Sequence, residues 1–351
     1  MKLIYAMILG FILDLILGDP RFMIHPVQII GWFIDRIKNG LLKLIYGCSF
    51  EEVKEQNMER KVSAELLAGY VLTLVIVLGT FFAVNGIVLV AGRIHPWLAF
   101  AVETWLIYRI MATKSLKKES MKVYYKLKAG DLEGARKEIS YLVGRDTQEL
   151  SESEIAKADV ETIAENTADG VIAPLFFVAL GGASLGFAYK AVNTLDSMVG
   201  YRSDDLINIG HASAKLDDVC NFIPARRAAF MMILASAILR FDVKGAIRIF
   251  RRDRFNHLSP NSAQTEAVAA GALNIQLGGT HTYFGKPVEK PVIGDDIRPV
   301  EYEDIRRTNQ LMFVSAVLSL VLCCGITYLL YASNFFSNLK IMSGILQAGP
   351  G

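Results

Sequence analysis

The sequence predicts an all-α, polytopic integral membrane protein whose long loops are mostly helical and face the cytoplasm. Hydrophobic residues make up 52% of the 351 residues, the mean hydropathy is +0.35, and the apolar residues are gathered into runs. Several runs approach the ~20 residues that a helix needs to cross a bilayer. Lys and Arg are concentrated in residues 114–145 and 248–254. Such an excess beside membrane helices marks the cytoplasmic side.

The apolar runs give four candidate membrane helices, at residues 1–17, 66–91, 171–188 and 311–331. The first run is short and is followed by Gly18-Asp19-Pro20 instead of a small-residue cleavage site, so we interpret it as a membrane helix and not as a signal peptide. The third run contains Pro174 and the pair Gly181-Gly182, so a re-entrant or packed segment is an alternative. Three weaker apolar segments leave the number of crossings between four and six: 24–46, which holds charged residues, 96–111, and 228–239, which is too short to cross alone.

Three polar stretches lie between the apolar runs, at residues 112–170, 189–227 and 241–310. They lack the composition of linkers and keep apolar residues at helical spacing. We therefore expect the whole chain, residues 1–351, to form a single membrane-embedded domain. A formal net charge of +2 and the absence of a basic stripe argue against nucleic acid as a partner. The spacing of the four cysteines predicts neither a disulfide framework nor a zinc site.

The most unusual polar stretch begins at Glu161. On a helix, Glu161, Glu165 and Asp169 occupy positions i, i+4 and i+8 and share one face, with Asn166 beside it. Stacked carboxylates repel by ~0.2–0.5 kcal/mol per exposed pair, and Mg²⁺, which prefers oxygen ligands, would relieve that repulsion. A solvated acidic helix face is the alternative. The apolar run that starts at Val171 favours a functional role, because ionisable groups beside a membrane are costly.

A second polar face follows the third apolar run. Lys190, Asn193 and Ser197 lie on one helical face, with Asp196 next to it. Lys190 and Arg202 are suited to binding phosphate, and Asp196 is suited to binding a metal ion. Ordinary polar pairs along a helix are the alternative interpretation.

Two further stretches carry polar residues. Asp217-Asp218 is a candidate metal site, whereas Arg226-Arg227 precedes an apolar run and is typical of membrane-flanking anchors. Ser259 to Glu266 leads into a helix rich in Ala and Gly that we expect to reach Leu277-Gly278-Gly279. The chain has no Walker A motif. The isolated histidines, His25, His95 and His257, are expected to be structural.

Taken in order, these stretches resemble the adenosylcobinamide-phosphate synthase family of cobalamin biosynthesis, the CobD/CbiB membrane proteins. The resemblance covers nearly the whole chain. It rests on Gly18-Asp19-Pro20 with His25-Pro26-Val27, Gly144 to Thr147, Glu161 to Phe177, Tyr189 to Arg202, Leu216 to Asp218, Ile223 to Arg226, Ser259-Pro260-Asn261, Glu266, residues 270–273, Leu277-Gly278-Gly279 and Tyr283-Phe284-Gly285. One departure is that Ala263-Gln264-Thr265 stands where family members usually carry Gly-Trp-Pro before the glutamate.

The resemblance implies ATP-dependent formation of an amide bond between adenosylcobyric acid and aminopropanol or aminopropanol phosphate, which gives adenosylcobinamide or its phosphate. It also implies Mg²⁺, with ATP and the corrinoid as substrates, and as partners the lipid bilayer and other membrane enzymes of cobalamin assembly. From their residue types, we expect catalytic roles for Glu161, Glu165, Lys190 and Asp196; substrate binding by Arg145, Asn166, Asn193, Arg202, Asn261 and Glu266; and metal binding by Glu165, Asp169, Asp217 and Asp218.

Three other function classes compete with the ligase. A transporter of a corrinoid or an anion would keep charges near the middle of the bilayer in broken helices and often has two similar halves, whereas this chain shows no internal repeat. A metal-dependent phosphotransferase acting on lipids would need a more compact Asp-rich signature. A non-enzymatic scaffold subunit of the pathway would not need the polar clusters.

Overall fold

The computed structural model describes residues 1–20, 23, 25–56, 58–200, 206–283 and 285–333. Helices dominate, which confirms the predicted all-α class. The helices are α1 (Lys2–Leu17), α2 (Pro26–Tyr46), α3 (Phe50–Glu55), α4 (Val62–Ile94), α5 (Pro96–Ile110), α6 (Thr113–Lys128), α7 (Leu132–Ile139), α8 (Glu152–Asn166), α9 (Ala173–Leu195), α10 (His211–Ile238), α11 (Val243–Asp253), α12 (Ser262–Leu273) and α13 (Tyr302–Ala332). Strands β1 (Gln276–Tyr283) and β2 (Lys286–Gly294) form an antiparallel hairpin.

Three helical segments among the described residues are long and apolar enough to cross a membrane: Val62–Ile94, the continuous run Glu152–Gly200, and Tyr302–Ala332. They contain the predicted helices 66–91, 171–188 and 311–331. α4 exposes large apolar side chains such as Leu67, Leu74 and Phe82. A helix that is apolar on its exposed sides is suited to contact with lipid. The apolar part of the run Glu152–Gly200 is instead mostly buried among other helices.

The third apolar run is a broken helix. Within α9, Gly181 and Gly182 leave the helical conformation, and Gly182 has φ 68°, a left-handed value that favours glycine. The second half of the helix begins at Ala183, whose backbone N–H donates to Glu103 Oε1 of α5 over 2.7 Å. Since the first N–H groups of a helix lack partners within it, the Glu103 carboxylate stabilises this internal helix start.

Local capping explains where several helices begin. Ser151 and Glu154 form a reciprocal capping box at the start of α8, which satisfies two backbone N–H groups. His25 and His95 accept from the backbone N–H of Val27 and Trp97, each over 3.2 Å, and each precedes a proline at the first helical position. These two histidines therefore have the structural role expected for them.

The expectation that the helix rich in Ala and Gly reaches Leu277-Gly278-Gly279 is wrong. α12 ends at Leu273, because Asn274 adopts a left-handed conformation with φ 56° that terminates the helix. The chain then enters β1, where Gly278 has φ 75° beside a register shift in the hairpin. A Cβ at Gly278 would lie 2.3 Å from the Pro291 carbonyl oxygen, so glycine is required there.

The hairpin is fixed to α8, the helix that carries the acidic residues. Lys157 Nζ donates to the Gly278 carbonyl over 2.8 Å, and the Gly278 N–H donates to Glu161 Oε1 over 2.8 Å. α8 in turn packs against α6, α12 and α13. These contacts fix the hairpin to the middle of α8, and residues of both strands line a cavity next to this helix.

Candidate active site

Two adjoining cavities of about 500 and 220 Å³ lie where α8, α9, α10, α12 and the hairpin meet. Glu165, Asp169, Asp196 and His257 line both of them. The first cavity is lined by the predicted residues Arg145, Glu161, Glu165, Asn166, Asp169, Asn193, Asp196 and Glu266. The second is lined by the predicted residues Glu165, Asp169, Asp196, Asp217, Asp218 and Asn261. Polar residues predicted from five separate parts of the sequence thus converge.

Two predicted residues, Lys190 and Arg202, are not among the described residues that line the cavities. Arg202 lies outside the described residues. Lys190 does not line either cavity as the described residues define them. The charges that act on it are those of Asp169, Asp19 and Asp217, so Lys190 lies close to the acidic side of the cavities. Asp19 belongs to the N-terminal Gly-Asp-Pro motif and lies 3.2 Å from His25 Nε2.

The three carboxylates expected on one helical face are divided between two environments. α8 changes at Thr167 into a π-helical turn, Thr167–Ile172, whose wider winding changes the direction of Asp169 relative to Glu161. Glu161 pairs with the Arg145 guanidinium. Asp169 instead lies within the electrostatic reach of Glu165 and Asp217.

The acidic group of the second cavity consists of Glu165, Asp169, Asp196, Asp217 and Asp218. The pKa of Asp217 is raised to about 7 by burial and by the charges of Asp196, Asp218 and Glu165, while a hydrogen bond from Asn221 opposes the increase. Asp217 Oδ1 is buried and has no hydrogen-bond partner among the described residues. This group therefore brings five carboxylates together, and no Lys or Arg is among the described residues that line the second cavity.

These ligands fit a magnesium ion that is delivered with a phosphate substrate. In the described part of the chain, no three His, Cys, Asp or Glu side chains are close enough to hold a metal ion by themselves. Mg²⁺ commonly binds through one or two carboxylates together with substrate phosphates and water. The unpartnered Asp217 oxygen and the repulsion between neighbouring carboxylates are the features that such an ion would compensate.

The first cavity is also lined by basic residues. Arg145 reaches it from the loop after α7 and Lys290 from β2, and the Lys290 ammonium lies 5.5 Å from the centroid of the Tyr283 ring. Glu266 lines the same cavity, and its pKa is raised well above 4.5 by burial and by the charges of Glu165 and Glu161. The protonated form of Glu266 is thereby favoured.

The sequence interpretation missed His257 and Lys290 as cavity residues. His257 was expected to be structural, and its Nδ1 does accept the Ser259 N–H over 3.0 Å, but the ring also lines both cavities. Its position just before Ser259-Pro260-Asn261 was a usable signal. Lys290 had none, because it reaches the cavity only through the pairing of β1 with β2.

Comparison with known proteins assigns the family. A family model described as CobD/Cbib protein matches residues 7–312. The chain is 46% identical over 321 residues to cobalamin biosynthesis protein CobD of Clostridium perfringens, covering 90% of this chain and 97% of the relative. It is 43% identical over 328 residues to cobalamin biosynthesis protein CbiB of Salmonella typhimurium, covering 92% and 98%. No solved structure gave a significant match. The chain belongs to the CobD/CbiB family of cobalamin biosynthesis proteins.

Proposed function

We propose that this protein is an ATP-dependent acid–amine ligase that joins adenosylcobyric acid to aminopropanol or aminopropanol phosphate. The observation that carries the proposal is the presence of an acidic group and a basic group in two adjoining cavities. The acidic group contains Glu165, Asp169 and Asp217, and the basic group contains Arg145 and Lys290. A reaction between a nucleoside triphosphate, a carboxylate and an amine needs both kinds of group.

The chemistry requires activation of the corrinoid carboxylate. A carboxylate oxygen attacks the γ-phosphorus of ATP, and the bond from this phosphorus to the β–γ bridging oxygen breaks. ADP departs, and the corrinoid carboxylate becomes an acyl phosphate. The amine then attacks the acyl carbon, phosphate departs, and the amine proton passes to a base. Arg145 and Lys290 are suited to stabilise charge on the transferred phosphoryl group, and Asp196 is suited to accept the proton.

The acidic group has the complementary task. Magnesium bound with ATP would neutralise phosphate charge, and Glu165, Asp169 and Asp217 would hold that complex. Asn166 and Asn193 line the same cavity and offer amide groups that can orient a substrate. Helices α6 and α11 are rich in Lys and Arg and lie in the polar stretches 112–170 and 241–310, which also supply residues to the cavities. Because an excess of Lys and Arg marks the cytoplasmic side, we further propose that the cavities open to the cytoplasm.

The test is an amide-forming assay on detergent-purified protein. Adenosylcobyric acid, aminopropanol phosphate or aminopropanol, ATP and Mg²⁺ are supplied, and the product is followed by mass. Glu165→Gln should lower the rate at least about a hundredfold, whereas Glu133→Gln, which changes an exposed glutamate of α7, should leave it unchanged. No product from folded wild-type protein with either amine would refute the ligase. Equal activity of the two variants would remove Glu165 from the site.

A transporter of a corrinoid or an anion is the second candidate, and the break at Gly181-Gly182 is the observation in its favour. Broken membrane helices often line transport pathways. However, the backbone N–H of Ala183 at the break donates to Glu103, and neither glycine lines the two polar cavities. Uptake of adenosylcobyric acid into proteoliposomes without ATP or an amine would support transport. Covalent product formation by the same purified chain would support the ligase.

A further inference from the structure

Two arginines near the second cavity lie within electrostatic reach of each other and have no carboxylate partner among the described residues. Arg226 is on α10, and Arg254 follows the last residue of α11. Each guanidinium lies over an aromatic ring, with Arg226 Cζ 3.6 Å from the centroid of Phe222 and Arg254 Cζ 4.8 Å from that of Phe255. Burial and the charge of Arg254 lower the pKa of Arg226, so the two positive charges repel each other.

Asn261 joins this pair to the cavity. Arg226 Nη1 donates to Asn261 Oδ1 over 3.1 Å, and Asn261 Nδ2 donates to the Asp218 carbonyl oxygen over 3.0 Å. Asn261 itself lines the second cavity. The amide therefore holds the Arg226 guanidinium at the edge of the cavity, where an occupant of the cavity can extend to it.

Arg254 is held in place by its backbone, while part of its side chain is unsatisfied. Gln264 Nε2 donates to the Arg254 carbonyl oxygen over 2.9 Å. Arg254 Nε is buried and has no hydrogen-bond partner among the described residues. A buried donor without an acceptor is costly. The arrangement persists at lower cost if a ligand supplies the acceptor.

The surface around the pair is apolar. Val219, Phe222 and Ile223 on α10 are each more than half exposed, and so are Phe255 and Leu258 after α11. Arginine surrounded by exposed aromatic and aliphatic side chains is typical of a membrane interface or of a site for an amphipathic molecule. The ligand that supplies the acceptor is therefore expected to carry an anionic group on an apolar or membrane-bound body.

We propose that Arg226 and Arg254 form an oxyanion site that holds a phosphate group at the open edge of the second cavity. The planar guanidinium presents paired donors that match phosphate oxygens, and two such groups would replace mutual repulsion by attraction to a shared anion. The phosphate belongs either to a phospholipid headgroup or to a soluble phosphate compound. The site depends on these residues alone and does not require the proposed ligase reaction.

The experiment compares Arg226→Gln and Arg254→Gln with wild-type protein, and Arg251→Gln is the matched control because Arg251 is an exposed arginine in the last turn of α11, three residues before Arg254. In one arm, protein in neutral detergent is titrated with inorganic phosphate, and binding is followed by phosphorus NMR line widths. In the other arm, protein is reconstituted in nanodiscs of phosphatidylcholine with phosphatidylglycerol, and retained anionic lipid is counted by native mass spectrometry. Phosphate bound in the first cavity is common to all variants and cancels in the comparison.

Loss of a charged hydrogen-bonded arginine should weaken binding about tenfold or more in both variants, with no change in Arg251→Gln. A loss confined to the phosphate arm identifies a soluble phosphate ligand, and a loss confined to the nanodisc arm identifies a lipid headgroup. Unchanged binding in both arms overturns the proposal. Folding of each variant is checked by its thermal midpoint, and because Arg226 lies in α10 and Arg254 lies just after α11, a variant that fails to fold leaves the other as the test.

Discussion

Protonation of His281 should destabilise the fold. This ring lies in strand β1 and is close to the positive charges of Arg145, Lys290 and Lys157. Arg145 Nη1, which can only donate, lies 2.7 Å from His281 Nδ1, so the ring nitrogen must be unprotonated to accept. The pKa of His281 is lowered from 6.5 to about 4, first by burial and then by the charge of Arg145. Glu161 opposes this effect, while Lys290 and Lys157 reinforce it.

The sign and size of the effect follow from linkage. The pKa of His281 is lower in the folded protein than in the unfolded chain, so the unfolded chain binds the proton more tightly. The free energy of unfolding therefore falls as the pH decreases from 6.5 to about 4. At about 1.4 kcal/mol per pH unit, the loss over this window is at most about 3 kcal/mol. The side chain is only 8% exposed, so solvent screens little of it.

The assay measures the apparent free energy of unfolding of wild type and His281→Gln in detergent, in buffers from about pH 7 to about pH 4. The wild type should lose up to about 3 kcal/mol more than the variant over this range. His211→Gln, at an exposed histidine, is the control and should follow the wild type. Parallel curves for wild type and His281→Gln would refute the reasoning, because they would mean that His281 does not bind a proton on unfolding.

Two further predictions concern close approaches of the backbone. Glu103→Ala should lower the free energy of unfolding by about 1–3 kcal/mol, because the Ala183 N–H loses its acceptor. Glu103→Gln keeps an acceptor and should lower the free energy of unfolding less. Thermal midpoints in detergent distinguish the two variants, and equal midpoints would contradict the capping role of Glu103. Gly271→Ala should destabilise the fold, because the new Cβ would lie 2.4 Å from the Gly245 carbonyl oxygen. As a control, the Cβ of Gly79→Ala meets no atom within 4 Å, and this variant should be neutral or stabilising. Similar thermal midpoints for the two variants would contradict a tight crossing of α11 and α12.

The apolar helices could be predicted because their signal is local. The run at 66–91 lies within α4 and the run at 311–331 lies within α13, since ~20 consecutive apolar residues have few stable arrangements other than a helix. The break in α9 was indicated by Gly181-Gly182. The acceptor for its N–H group could not be predicted, because Glu103 comes from another helix, about 80 residues earlier in the chain.

The hairpin illustrates the opposite case. Thr280, Thr282 and Tyr283 in β1 and the residues around Val288 in β2 have the composition of strands, with a glycine at the turn. Small residues at Gly278-Gly279 were interpreted instead as the end of a helix. A local propensity is weak where neither face is strongly apolar, and here the decisive contacts are those of Lys157 and Glu161 with Gly278.

The acidic residues Glu161 and Asp169 have different partners in the fold, which their spacing in the sequence could not predict. On a regular helix, Glu161 and Asp169 would point the same way and compete for the same cation. The π-helical turn at Thr167–Ile172 separates them, and such turns are frequent at functional sites. Glu161 can then be neutralised by Arg145 and can hold the hairpin, while Asp169 remains among the carboxylates of the second cavity. Removing the extra residue of this turn should therefore impair the acidic cavity more than it impairs the attachment of the hairpin, which depends on α8 before the turn begins.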